Sequence, residues 1–282
     1  MTRRVALIGN PLRRRHSAVM HNGAFAAHGI DASFELRAIE LDEVSAFFDE
    51  ARDPVWLGFG VTAPYKQVAM QHIDEIEPGA AAIGAVNNGL RRDDGTLVGF
   101  NTDASGFMAA VGSMGVSVRG RVAVVFGAGG AARAVVWALL DAGVDSVFVA
   151  NRTRDRAVEL ARSLSDYGTV QPVSLDEAAL TGAMQSAGIA VNATTVGMTV
   201  DAVAFDVTPL PDDALVFDLV YVPPETPLVR EATARGLAVC NGLEMLVRQG
   251  EIAFERWTGI VSTADIMRDA LRSWMGDSEP AV

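Results

Sequence analysis

A single cysteine, Cys240, leaves the chain without an intramolecular disulfide and without the thiolate cluster of a structural metal site. Its apolar neighbours Leu237, Ala238 and Val239 make it a small buried residue rather than a nucleophile. Four histidines, His16, His21, His28 and His72, fall at no ligand spacing such as H-E-x-x-H, so no metal is expected. Positive charge is also scarce: 23 Lys and Arg face 35 Asp and Glu, a net charge of −12. Nucleic acid and anionic membrane surfaces both require a cationic footprint. The runs Arg3-Arg4 and Arg13-Arg14-Arg15 are too short to provide one. No apolar run reaches membrane-spanning length, and the segment 5–9 behind Met1-Thr-Arg-Arg4 is too short for a signal-peptide core. These absences point to a cytoplasmic protein with a small-molecule substrate, acting as a monomer or homodimer. Internal repeats and low-complexity segments are missing too.

What is present is alternation. Half the 282 residues are apolar, enough for two modest domains. In the first hundred residues the patterns predict strands at 5–9, 34–39 and 56–61 and helices at 19–27, 41–51 and 66–76. That rhythm implies an α/β layer on a mostly parallel sheet. A helix at 101–111 gives way to Gly112-Ser-Met-Gly115, a connection to the next domain. Further strands are predicted at 122–126, 146–150, 169–173, 188–193, 214–219 and 237–240, with helices between most of them. Apolar stripes then predict helices at 245–257 and 263–274, and the tail 276–282 reads as disordered. Nothing in a nucleotide-binding fold needs those last helices, so they are expected to return to the first domain.

The run Val122-Ala-Val-Val-Phe126 breaks into Gly127-Ala128-Gly129-Gly130-Ala131-Ala-Arg133. A strand buried on both faces, a glycine turn and a helix start make a pyrophosphate site from free backbone N–H groups. The following strand ends at Asn151-Arg152-Thr153, with Arg154 and Arg156 beyond. A cofactor with a free ribose 2′-hydroxyl is usually held there by an acidic residue, whereas arginine suits a 2′-phosphate. The pattern therefore reads as NADP rather than NAD. The fold class is α/β, with an N-terminal α/β substrate domain and a Rossmann-type doubly wound NADP-binding domain. The expected boundaries are 1–103 with 243–275 for substrate and 104–242 for the dinucleotide.

Polar groups fall where loops should follow strands: Gly9-Asn-Pro-Leu-Arg-Arg-Arg-His-Ser17, Val61-Thr-Ala-Pro-Tyr-Lys66, Gly84-Ala-Val-Asn-Asn88 and Gly99-Phe-Asn-Thr-Asp103. Oxidising an alcohol needs a group to take the hydroxyl proton, and Lys66 and Asp103 are the candidates. A solvated lysine and a helix-capping aspartate are the plain alternatives.

The ordered set V-T-A-P-Y-K, G-A-V-N, F-N-T-D-x-x-G, G-A-G-G-A-A-R, N-R-T and N-A-T-T-V-G-M resembles the shikimate dehydrogenase family. Phe217-Asp-Leu-Val-Tyr-Val-Pro223 and Asn241-Gly-Leu-Glu-Met-Leu-Val-Arg-Gln249 extend the resemblance over nearly the whole chain. It implies NADP-linked interconversion of 3-dehydroshikimate and shikimate, a step of aromatic amino-acid biosynthesis. Lys66 then falls at the catalytic lysine and Asp103 at its partner aspartate. Thr62, Asn87, Tyr221 and Gln249 match substrate-binding positions. Leu219 and Gly242 match the nicotinamide end, and Thr195 and Val196 should lie near the pyrophosphate or nicotinamide ribose.

Three departures cluster around the substrate. In place of the family's Ser-x-Ser-Pro stands Arg15-His16-Ser17-Ala18, which makes Arg15 and Ser17 the candidate carboxylate ligands, the alternative being that Arg15 points to solvent with its two neighbours. Gly60 replaces the asparagine that usually precedes Val-Thr, and Asn88 replaces the threonine after Asn87. A remodelled carboxylate pocket leaves quinate, aminoshikimate or another cyclic hydroxy acid open as the substrate. A folate-linked dehydrogenase and a ligand sensor without turnover are the remaining readings.

Overall fold

Repeated strand–helix alternation produces two six-stranded sheets, one in each of two units. The computed structural model describes residues 1–282 except 13–14, 177, 199, 262–263 and 279–282. The first unit comprises Met1–Thr102 with Leu246–Val282, and the second Asp103–Met245.

In the first unit the strands are β1 (Arg3–Gly9), β2 (Ala32–Ala38), β3 (Trp56–Val61), β4 (Glu75–Ile76), β5 (Asn88–Arg91) and β6 (Leu97–Phe100), in the order β2-β1-β3-β5-β6-β4. β1 pairs in parallel with β2 and β3, and β4 with β6. β5, however, runs antiparallel to both β3 and β6. The sheet is therefore mixed, where alternation predicts a mostly parallel one. The difference is a hairpin over 88–100, turned at Arg92-Asp-Asp-Gly95. Gly95 takes φ +91°, and Arg92 N–H donates to Thr96 O at 2.9 Å.

The helix predicted at 66–76 is also absent. A short 3₁₀ turn occupies Val68–His72, and the chain then extends as β4 toward Pro78, before which helical backbone is disfavoured. Helices α1 (His16–Ala27), α2 (Val44–Glu50) and α3 (Pro78–Ile83) complete the N-terminal part. Trp56, Phe47, Phe48 and Phe59 form its aromatic core, Phe48 and Phe59 edge-to-face with centroids 5.0 Å apart.

The second unit contains α4 (Asp103–Ser113), β7 (Val122–Phe126), α5 (Gly130–Asp141), β8 (Ser146–Ala150), α6 (Arg154–Ser163), β9 (Val170–Val173), α7 (Ala178–Ser186), β10 (Ala187–Asn192), β11 (Leu215–Asp218), α8 (Pro227–Ala234) and β12 (Ala238–Asn241). All its strand pairs are parallel, in the order β12-β11-β10-β7-β8-β9. The order reverses between β7 and β10, and ligands of doubly wound sheets bind beyond the strand carboxyl ends at such a point. Every residue of β10 is buried, as a central parallel strand requires.

The chain then enters α9 (Gly242–Thr258) and α10 (Ala264–Ser278). α10 packs on α1, and the Trp257 indole N–H on α9 donates to Gly89 O at 2.9 Å. The late helices thus complete the first unit's core. α10 continues through Ser278 into the tail predicted as disordered, and 279–282 lie outside the described residues.

Candidate active site

The first unit gathers its polar side chains at the ends of β3, β5 and β6. Val61 N–H donates to Asn87 O at 2.8 Å and Val86 N–H to Lys66 O at 2.9 Å, tying the segments 61–66 and 84–88 together. Thr102 is the centre of this region. Its hydroxyl accepts from Asn87 Nδ2 at 3.1 Å and Asn88 Nδ2 at 2.9 Å and donates to Gln249 Oε1 at 3.0 Å. One hydroxyl proton and two lone pairs are all used, so each neighbour's orientation is set. Asn87 Oδ1 accepts in turn from Thr102 N–H at 2.8 Å, and Gln249 Nε2 donates to Leu246 O at 2.9 Å.

The other predicted residues of this unit differ in setting. Lys66 is half-buried, and the preceding Tyr65 is anchored by its hydroxyl on Ile39 O at 2.7 Å. Thr62 is half-buried at the end of β3, and Ser17 is half-buried in the first turn of α1. Arg15 is exposed, and its side chain enters no hydrogen bond or ion pair among the described residues. Its neighbours Arg13 and Arg14 lie outside the described residues.

Asp103 opens the second unit at 8% exposure in the first turn of α4, where the helix dipole favours a carboxylate. Gly127 follows β7 with φ +117°, and a Cβ there would stand 2.8 Å from Ala193 O, so only glycine fits. Gly129 caps α5, whose first residue is Gly130, and a Cβ on Gly129 would meet nothing within 4 Å. Open space over a helix N-terminus, with Ala128 and Ala131 adding little bulk, suits a pyrophosphate. Asn151 Nδ2 donates to Thr153 O at 2.8 Å, turning the chain after β8. Arg152, Thr153, Arg154 and Arg156 are exposed there. The residues present therefore fit a dinucleotide with a 2′-phosphate.

Beyond β10 and β11 a buried network missing from the sequence reading holds the neighbouring loops. Asn192 Nδ2 donates to Asp218 Oδ1 at 2.8 Å and to Val196 O at 3.1 Å. Asn192 Oδ1 accepts from Thr194 N–H at 3.0 Å. Asp218 Oδ1 also accepts from Val220 N–H at 3.0 Å, and Oδ2 from the Thr226 hydroxyl at 2.6 Å. Burial raises the Asp218 carboxyl above its usual range, opposed by these donors. Exposed Thr195, half-buried Val196, Leu219 and Tyr221, and buried Gly242 all lie on or beside this framework. A polar residue closing each of two otherwise apolar strands was the available signal. Burial also pushes the Cys240 thiol up to about 12, which keeps it unreactive.

Three family profiles match successive stretches of the chain. They are the shikimate dehydrogenase substrate binding domain at 7–88, shikimate/quinate 5-dehydrogenase at 110–220 and the shikimate 5′-dehydrogenase C-terminal domain at 242–272. The NADP(+) shikimate dehydrogenase of Moorella thermoacetica is 39% identical over 97% of this chain and 94% of its own. The chain is a member of the shikimate dehydrogenase family. Another relative, the NADP(+) enzyme of Symbiobacterium thermophilum, is 41% identical over 94% of this chain and 92% of its own. The crystal structure of shikimate 5-dehydrogenase from Thermus thermophilus, in complex with NADP(H) and shikimate, has a TM-score of 0.85 at 38% identity. It covers 96% of this chain and 99% of that one. Family membership agrees with the observed architecture, a mixed-sheet unit followed by a doubly wound one. Among the described residues no group of side chains could hold a metal ion, and no helix is long and apolar enough to cross a membrane.

Proposed function

We propose that this chain interconverts 3-dehydroshikimate and shikimate with NADP(H). The observation that carries the reading is the Thr102-centred cluster. Asn87, Asn88 and Gln249 converge on one hydroxyl, a setting made for a ring bearing several hydroxyls rather than an aromatic ligand. In this reading Asn87, Gln249, Thr62 and Tyr221 bind the ring substituents, and Ser17 and Arg15 meet the carboxylate.

When bound, NADP(H) would supply the hydride chemistry, taking up a hydride in shikimate oxidation. The hydroxyl proton leaves with the Lys66–Asp103 pair, Lys66 Nζ exchanging it and Asp103 orienting the ammonium. In the reverse direction the same pair returns the proton to the carbonyl oxygen. On the nucleotide side, Gly127, Ala128, Gly129, Gly130 and Ala131 cradle the pyrophosphate. Asn151, Arg152, Thr153 and Arg156 receive the 2′-phosphate. Thr195, Val196, Leu219 and Gly242 line the nicotinamide end. The enzyme works in the cytoplasm as a monomer or homodimer, and its lone buried thiol needs no oxidising compartment.

An initial-rate panel tests it: shikimate, quinate and aminoshikimate, each with NADP⁺ and NAD⁺. The highest kcat/KM is expected for shikimate with NADP⁺. Tight binding without turnover across the panel would replace the enzyme by a ligand sensor, and preference for another acid would replace the substrate.

A further inference from the structure

The two departures at 60 and 88 are one event in the fold. Gly60 on β3 and Asn88 on β5 are direct partners in the antiparallel register, so their side-chain positions share one face. Gly60 contributes no side chain there. A Cβ at 60 would stand 3.5 Å from Asn88 Oδ1 and 3.0 Å from Leu7 Cδ1. Asn88 thus fills the space opposite the missing side chain. The family pattern carries an asparagine at the first position and a threonine at the second. This chain keeps one amide on the strand pair and moves it across.

The moved amide has a task. Asn88 is 5% exposed, and its Nδ2 donates to Thr102 Oγ1 at 2.9 Å and toward Gln249 Oε1 at 3.4 Å. Thr102 already receives Asn87 Nδ2, so the Asn88 donor fills its second lone pair and sends its proton to Gln249 Oε1. With Oε1 taken twice and one Nε2 proton on Leu246 O, Gln249 is left with a single N–H to offer.

We infer that Asn88 is a positioning and specificity residue, which makes Gln249 a hydrogen-bond donor toward the substrate and compensates for the glycine at position 60. The inference rests on the shikimate reading of the site. Threonine at 88 has no amide to hold Gln249 Oε1, and at 60 a Cβ alone already meets Leu7 Cδ1 at 3.0 Å and Asn88 Oδ1 at 3.5 Å, so the longer asparagine side chain competes with Asn88 for the same space. Each single exchange should therefore harm substrate binding, and the two together should restore it.

The experiment is a mutant cycle on the full-length enzyme: Asn88→Thr, Gly60→Asn and the double variant, with kcat, KM for shikimate and Tm measured for each. Asn88→Thr should raise KM roughly 5- to 30-fold, the cost of unpairing a buried polar group, and leave kcat within about threefold. The double variant should return KM to within about threefold of the parent, even where a single variant folds poorly. In a Gln249→Ala background, Asn88→Thr should add less than about twofold, because neighbours acting through one contact are not additive. An unchanged KM in Asn88→Thr overturns the inference, as does a double variant that compounds both losses or does not fold. If the parent enzyme turns over no shikimate, the functional reading fails. Recovery of Tm in the double variant then still decides whether the two positions are exchanged.

Discussion

The carbonyl of Leu219 presses on the Cα of Gly242 so closely that a Cβ there would lie 2.1 Å from the oxygen. The obstacle is backbone, which cannot rotate away, so glycine is required by approach and not by its φ. Gly242→Ala must push the segment after β11 outward, at about 1–3 kcal/mol for overpacking. The expected result is a lower Tm with weaker NADP(H) binding by titration. Unchanged values for both would show that the loop yields freely.

Replacing Lys66 by alanine should lower kcat by roughly 10²–10⁴-fold, the range for losing a positioned acid–base group. Shikimate binding, read by calorimetry, should change much less, because the Thr102 cluster survives. A variant with near-parental kcat would remove Lys66 from the proton transfer.

Arg152→Ala should separate the two cofactors. Only NADP(H) carries the 2′-phosphate, and a charge-assisted bond is worth about 1.5–3 kcal/mol, so its affinity should fall roughly 10- to 150-fold. NAD(H) affinity should stay within about twofold. Equal losses would mean that Arg152 supports the turn after β8 and not the phosphate.

His21 gives the fold a pH dependence. It is 2% exposed, stacked on Phe34 with centroids 4.7 Å apart and 5.0 Å from Trp257, and burial lowers its pKa to about 3. The unfolded chain takes up this proton near pH 6.5 and the folded chain only near 3. Stability from the neutral ring is therefore full above 6.5 and is lost as pH falls toward 3, by about 1.4 kcal/mol per unit. Urea unfolding of the parent and of His21→Phe at pH 7, 6, 5 and 4 should diverge by about 3 kcal/mol at the lowest pH. Parallel profiles would mean that His21 is protonated inside the fold.

The second unit was readable because its central strands are largely apolar runs. Val122–Phe126 and Ser146–Ala150 fall where the β-branched runs place them. The hairpin of the first unit was not, since Asn88-Gly-Leu-Arg91 has little β propensity of its own. Gly89 is there because Phe59 occupies its face: a Cβ would stand 2.1 Å from Phe59 Cζ. Tertiary packing chose that residue, and no local rule reveals it. Motifs located Asn87 and Gln249, yet the hydroxyl that joins them, Thr102, is an unremarked letter beside the singled-out Asp103. Asn192 and Asp218 stand within quoted motifs, each a lone polar residue closing an apolar strand, but their hydrogen bond to one another depends on the pairing of β10 with β11. Arg15 was visible as a departure from the motif, but its exposure is a property of the folded loop alone.

The first unit is built from two stretches of chain with the whole second unit between them. On the ribosome the sequence emerges from its N-terminus, and domains generally fold as units as they become complete. Residues 103–245 are then all available while α1 still lacks α10, and His21 still lacks the Trp257 ring. The nucleotide-binding half matures first, and the substrate-binding half, though begun earlier, closes last. A nascent chain that has released 103–245 but not yet α10 would hold a finished nucleotide fold and a substrate-binding unit still short of the helix that packs on α1, an interval in which that unit's apolar surface is open to aggregation.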